Sequence, residues 1–270
     1  MKLLTINTHS LIEENYEKKL EIFADAIYDI KPDIIAMQEV NQTANAKKAE
    51  YINDNVYVSG SIPLKEDNHA FRVMNKLKSK ECSYSLTWLG IKNGYSKFDE
   101  GLAIMSLKEP EDIQSFTISR NDDYKDWRTR KALGVKISQD WFYSVHTGWW
   151  RDNEEPFSEQ WERLCDKLLK QEKIWLMGDF NNPADIKGEG YDYILSAGWY
   201  DTYELAKNKD LGYTAHGKID GWDGTKEKKL RIDYVFTNKK ANIESSFVIF
   251  DGKNREKVSD HNGIIVTVDI

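Results

Sequence analysis

Cysteine is scarce in this chain. Cys82 and Cys165 are the only two among 270 residues, and their separation excludes both a disulfide framework and a metal-binding spacing. Cys165 falls in an amphipathic stretch and reads as a buried free thiol. Long apolar runs are missing too: no segment approaches the ~20 apolar residues that span a bilayer. The apolar start from Met1 to Ile6 meets polar Asn7 at once, too soon for a secretion signal. A cytoplasmic protein with no membrane partner is therefore expected. Positive charge is in deficit, with a net charge of -7 and a pI near 5.4, which argues against nucleic acid held on a basic surface. Neither an internal repeat nor a low-complexity linker divides the chain, so a single domain over residues 1–270 is expected, and nothing points to a protein partner.

Aromatic residues, by contrast, are plentiful. Nine Trp and fourteen Tyr accompany the charged residues, a balance that belongs to a folded globular protein rather than a disordered one. Lys2 to Asn7 reads as a buried strand. Ser10 stands three residues before Glu13, the signature of a capping box. Behind it Tyr16, Leu20, Phe23, Ile27 and Ile30 trace one helical face that ends at Lys31-Pro32, and Ile34 to Met37 comes next as a second strand. The opening is thus β-α-β. Further strands are expected at Tyr84–Ile91, Leu102–Met105, Ala132–Ile137, Trp141–Val145, Ile174–Met177, Ile232–Thr237, Phe247–Phe250 and Ile264–Ile270. A second helix is expected between Pro156 and Glu172, and a long surface loop between Asp210 and Lys229. Many strands with few helices imply sheet packed on sheet, an α/β architecture with helices outside.

The chemistry lies at the strand ends. Asn7 closes the first strand, Gln38-Glu39 the second, His146 the strand from Trp141, and Asp179-Phe180-Asn181 the strand from Ile174. Asp233 sits inside an apolar strand, where a carboxylate must find a partner or bear heavy desolvation, and Ser259-Asp260-His261 precedes the last strand. Taken singly, each has a structural explanation as turn residue or solvated strand end. Taken together, they form an oxygen-rich set that suits Mg²⁺ or Mn²⁺ rather than zinc.

Thr5-Ile6-Asn7-Thr8-His9, Met37-Gln38-Glu39-Val40, Glu100-Gly101-Leu102, Ser144-Val145-His146-Thr147, Gly178-Asp179-Phe180-Asn181, Arg231-Ile232-Asp233-Tyr234 and Ser259-Asp260-His261 occur in this order along the chain. The ordered set resembles the endonuclease/exonuclease/phosphatase superfamily. That resemblance implies a four-layer α/β sandwich of two packed, mixed and mostly antiparallel sheets with flanking helices. It also implies divalent-metal-dependent phosphoester hydrolysis. By the same resemblance Glu39 is the principal metal ligand, with Asn7 and Asp260 as ligands directly or through water. Asp179 orients or deprotonates the attacking water, and Asn181 hydrogen-bonds the phosphate or that water. His261, oriented by Asp233, contacts the phosphoryl oxygens, and His146 stabilises developing charge or protonates the leaving oxygen.

Within the superfamily the chain is similar to the maltose 6'-phosphate phosphatase group of Gram-positive bacteria, on Asn7-Thr8-His9-Ser10, Asp67 to Arg72, Asp126 to Arg130, Ile219 to Trp222 and Phe250-Asp251-Gly252. The substrate so implied is a small phosphorylated sugar. A terminal monoester carries more charge than a diester, and Arg128, Arg130 or Lys131 can supply the extra cation. The alternative is a solvated basic loop beside Asp122, Asp123 and Asp126. His69 and Arg72 are further candidates for phosphate contact, each with a surface role as its alternative. Trp149, Trp150 and Trp222 are candidates to stack on a sugar ring, with core or rim packing as theirs. A phosphodiesterase acting on nucleic acid or a phospholipid headgroup is the competing reading.

Overall fold

The computed structural model describes residues 1–50, 55–168, 172–216 and 229–269. In chain order the strands are β1 (Lys2–Asn7), β2 (Ile34–Thr43), β3 (Val56–Ser59), β4 (Ser85–Gly94), β5 (Phe98–Ser106), β6 (Asp112–Thr117), β7 (Lys131–Ile137) and β8 (Asp140–His146). They continue as β9 (Lys173–Asp179), β10 (Tyr200–Asp201), β11 (Ala206–Lys209), β12 (Ala215–His216), β13 (Lys229–Leu230), β14 (Asp233–Thr237), β15 (Ile243–Ile249) and β16 (Gly263–Val268). The helices are α1 (Tyr16–Ile30), α2 (His69–Ser79), α3 (Phe157–Lys167), α4 (Gly190–Ser196) and α5 (Thr202–Leu205).

One sheet has eight strands in the order β11-β15-β16-β1-β2-β5-β4-β3, and a second has six in the order β10-β14-β9-β8-β7-β6. Each carries a parallel pair at its heart bridged by a helix: β1-α1-β2 in the first, β8-α3-β9 in the second. Most other pairings are antiparallel. Side chains alternate along the strands with period two and so sort into layers. Leu3, Ile34, Ala36, Phe142, Trp175 and Met177 meet between the sheets. Leu4, Ile6, Ile35 and Met37 point the other way, onto Leu20, Phe23 and Ile27 of α1. Trp141, Tyr143, Ile174 and Leu176 likewise meet Phe157, Trp161 and Leu164 of α3. The result is helix, sheet, sheet, helix, the four-layer sandwich that the resemblance implied.

Several details differ from the sequence expectations. Ser10 and Glu13 form no capping box. His9 and Ser10 take left-handed backbone angles, Ser10 Oγ donates to the Glu39 carbonyl, and α1 starts only at Tyr16. Glu13 is drawn instead to His9, Lys19 and the backbone N–H of Asp260. The second strand runs on past Met37 to Thr43 through a bulge. Cys82 is the buried thiol, whereas Cys165 is only half-buried; no disulfide joins them. Helix α2 lay hidden in a polar stretch, although Ala70, Val73, Met74 and Leu77 give it a buried face and Asn68 Oδ1 accepts the Phe71 N–H as a cap. Edge strand β6, with no fully buried residue, carries no apolar signal. The flanks of the expected loop pair as β12 and β13, and residues 217–228, with Trp222 among them, lie outside the described residues. Among the described residues no helix is long and apolar enough to cross a membrane.

Candidate active site

The two βαβ units deliver the site. Their parallel pairings stop on one edge of the sandwich, with β1 ending at Asn7, β8 at His146 and β9 at Asp179, and with β2 leaving β1 at Gln38-Glu39, where the carboxyl ends of parallel strands characteristically face ligand. Gln38 Nε2 donates to Ser144 Oγ at 2.9 Å, bolting one sheet to the other beneath the site. Strand β14 runs antiparallel to β9 and sets Asp233 opposite Asp179. Ser259 Oγ donates to the Asn7 carbonyl at 2.8 Å, holding the Asp260-His261 turn over the end of β1.

Bulges aim the side chains. The pairing of β2 with β5 slips between Met37 and Val40, and Glu39 there takes a φ of 47°. The pairing of β4 with β5 slips between Gly90 and Lys92. Both slips flank Gly101, where a Cβ would lie 2.0 Å from the Leu89 carbonyl oxygen, so only glycine lets the strands approach. Bulges beside active sites commonly redirect a side chain, and here Glu39 and Lys92 turn into a common cleft of about 350 Å³. Gly178 plays the same part in β9: at a φ of 154° a Cβ would sit 1.9 Å from the Val145 carbonyl oxygen.

Asp179, 1% exposed, is the hub. Its Oδ2 accepts from Asn7 Nδ2 at 3.1 Å and lies 3.6 Å from His146 Nε2 and 3.8 Å from His261 Nε2. Its Oδ1 accepts the Asn181 backbone N–H at 2.9 Å, a turn closed by the left-handed φ of Asn181. Asn181 Nδ2 donates to the Thr147 carbonyl at 3.0 Å. Asp233, fully buried, holds His261 Nδ1 at 3.0 Å. Burial pushes the Asp179 carboxyl up to about 7, aided by the charge of Asp233 and opposed by His261, Asn7 and the Asn181 N–H. Burial works against a charged His261, yet Asp233 and Asp179 win and hold it well above the usual imidazole range. His146 is the reverse case: burial, then Arg130, Lys92 and His261, keep it well below that range and neutral. One histidine favoured as a cation and one favoured as neutral thus flank one carboxylate.

Oxygen donors suited to a hard cation gather beside this hub. Glu39 and Asp260 both line the cleft, and burial, Glu100 and Asp260 raise the Glu39 carboxyl above its ordinary value. Such crowding of buried carboxylates is what a divalent cation relieves. Asn7 lies at the same point, its Nδ2 donating to Glu39 Oε1 at 2.8 Å and its Oδ1 accepting the His9 N–H at 3.2 Å. With its other bond to Asp179 it bridges the two carboxylates. Among the described residues, His9, Glu13 and Asp260 form one group with ligand atoms close enough to share an ion, and Asp179, Asp233 and His261 form another. Lys19 already holds the second oxygen of Glu13.

The candidate substrate residues divide. Arg130 and Trp149 line the cleft. His69 does not: it is buried between α1 and α2, stacked on Phe23 at 5.8 Å and hydrogen-bonded to the Tyr16 hydroxyl at 3.1 Å, and burial pushes its pKa down to about 3. Arg72 is engaged bidentately by Glu17 at 2.8 and 2.7 Å on the outer helices. Arg128 gives its guanidinium to Asp126 and Glu154, and Trp150 packs on Tyr193 and Phe157. These four belong to structure rather than to the cleft. Lys92, Tyr95, Glu100 and Trp127 line it and were missed. Lys92 comes directly after the apolar run Tyr84–Ile91, so the same signal that marked Asn7 and His146, a polar residue ending an apolar strand, applies to it too.

The comparisons with known proteins agree with this architecture. The Endonuclease/Exonuclease/phosphatase family model matches residues 4–261. An endonuclease/exonuclease/phosphatase family protein from Leptotrichia buccalis is 32% identical, with a TM-score of 0.86 and 100% coverage of both chains. A mannosyl-6-phosphatase from Bacteroides thetaiotaomicron shares the fold at 17% identity, TM-score 0.64, over 100% of both chains. An AP endonuclease from Archaeoglobus fulgidus does so at 18% identity, TM-score 0.63, again over 100% of both. No curated protein gives a significant match. A sandwich edge that gathers Glu39, Asp179, Asp233, His146 and His261, and a family match across nearly the whole length, establish that the chain belongs to the endonuclease/exonuclease/phosphatase family.

Proposed function

We propose that this phosphoesterase is a metal-dependent phosphomonoesterase that acts in the cytoplasm on a small sugar phosphate, with maltose 6'-phosphate as its substrate. One observation carries the preference for a monoester. Arg130 is only 5% exposed, lines the cleft, and among the described residues its buried Nε has no hydrogen-bond partner and its guanidinium forms no ion pair. A buried guanidinium without an anion is costly, and the planar fork suits the extra oxygen charge of a terminal phosphate. A cleft of about 350 Å³, with Trp on its wall and this basic end, favours a small ligand over a polymer. Relatives by fold under 20% identity include both a sugar phosphatase and a DNA-directed enzyme, so the cleft and not the fold must decide.

The residues divide the work as their environments dictate. Asp179, poised near neutrality, takes a proton from the water that attacks phosphorus. The charged His261, fixed by Asp233, donates to the phosphoryl oxygens as charge grows on them. His146 is neutral in this environment, so it serves as a hydrogen-bond donor to the leaving oxygen, which takes its proton from solvent water as the P–O bond breaks. Asn181 holds the Asp179 loop and faces the phosphate. Glu39 and Asp260, with Asn7 beside them, would hold Mg²⁺ or Mn²⁺, which supplies charge neutralisation at the phosphoryl group.

Inorganic phosphate release from maltose 6'-phosphate, glucose 6-phosphate and other sugar phosphates, run beside cleavage of abasic-site DNA, tests the proposal. Turnover of maltose 6'-phosphate above the others is expected. Cleavage of the DNA without phosphate release from any sugar would overturn it.

A further inference from the structure

The cleft has aromatic lining that the phosphate chemistry leaves unused. Trp127 stands on its rim 53% exposed, an indole left open to water, next to Trp149, whose ring centre is 6.2 Å away at a tilt of 53°. A large aromatic so exposed in a loop would ordinarily be free to swing. The backbone beneath this one is held: Lys92 Nζ donates to the Trp127 carbonyl at 2.7 Å, and the same ammonium is paired with Glu100 at 3.2 Å. The Arg128 guanidinium lies 5.8 Å from the Trp127 ring centre, and Asp126 accepts the Arg128 N–H at 2.9 Å. Tyr124 fixes the start of the loop, its hydroxyl donating to Asp99 Oδ1 at 2.6 Å.

We propose that Trp127 is the specificity-determining platform for the leaving group, its exposed indole face stacking on a pyranose ring while the phosphate sits at Arg130 and Asp179. An indole face is apolar and polarisable, matching the C–H face of a pyranose, and it has no complement in an acyclic phosphate. Lys92 ties this platform to Glu100 in the lining of the same cleft, so ring and phosphate are placed as one unit. The inference rests on the sugar-phosphate reading above.

The experiment compares wild type with Trp127→Ala and Trp127→Phe on maltose 6'-phosphate and on glycerol 3-phosphate. Trp127→Ala is expected to raise KM for the sugar phosphate about tenfold with kcat within about twofold, and to leave glycerol 3-phosphate kinetics unchanged; Trp127→Phe restores most of the loss. Equal losses on both substrates, or no loss on either, would overturn the platform. Should wild type hydrolyse no monoester, titration with unphosphorylated maltose reads the platform alone: saturable binding abolished by Trp127→Ala supports it, and absence of binding overturns it.

Discussion

Asp179 lies between two imidazoles whose charges are set by their neighbours rather than by their own chemistry. His261 is cationic because Asp233 backs it, and His146 is neutral because burial and the cations Arg130 and Lys92 oppose its proton. Replacing Asp233 by Asn removes the support for the His261 charge, and steady-state assays should show kcat lowered by about 10² or more with little change in KM. Arg130→Met should raise KM for a phosphate monoester by about tenfold or more while sparing a simple diester, measured on matched substrates. His69 offers a stability test away from the site. With its folded pKa pushed down to about 3, the unfolded chain binds a proton that the folded one refuses as pH falls below the ordinary imidazole value. Its stabilising contribution is complete above that value and is lost on acidification. Between about pH 7.5 and pH 5 the loss is about 2 kcal/mol, and denaturant titrations of His69→Phe should lack it. At this scale the sequence disclosed groups that gather at the cleft, because a polar residue ending an apolar strand is conspicuous. It did not disclose Trp127 or separate Arg130 from Arg128, since loop partners such as Glu154 are set by the fold alone.

Elements place these residues through two βαβ units and two bulges. Strands β1, β8 and β9 and helices α1 and α3 were legible because their apolar periodicity is unbroken. The bulge at Glu39 was not, because a slip in pairing depends on the partner strand β5 and leaves no local pattern. Ser10 and Glu13 matched a capping signature, but their side chains found stronger partners in β2 and in Lys19. Gly178 shows how tightly the elements meet. Gly178→Ala forces a Cβ against the Val145 carbonyl at a φ that side chains avoid, and thermal unfolding should report a loss of about 2–3 kcal/mol or failure to fold.

For the whole molecule, the paired sheets bring residues more than two hundred positions apart to one edge, as the Ser259 bond to Asn7 illustrates. Despite an overall charge of -7, the cleft counts Lys92 and Arg130 among its lining, so net charge describes the surface and not the site. Activity depends, on this reading, on Glu39, Asp260 and Asn7 holding a cation that the Asp179 centre needs for phosphate release. It is read directly as initial rate against added Mg²⁺ or Mn²⁺ on protein freed of metal by a chelator, for wild type and Glu39→Gln. No release is expected without metal, with recovery on adding it back and about tenfold or more metal required by the variant. A full rate in chelator, or identical metal curves for the two proteins, would contradict it.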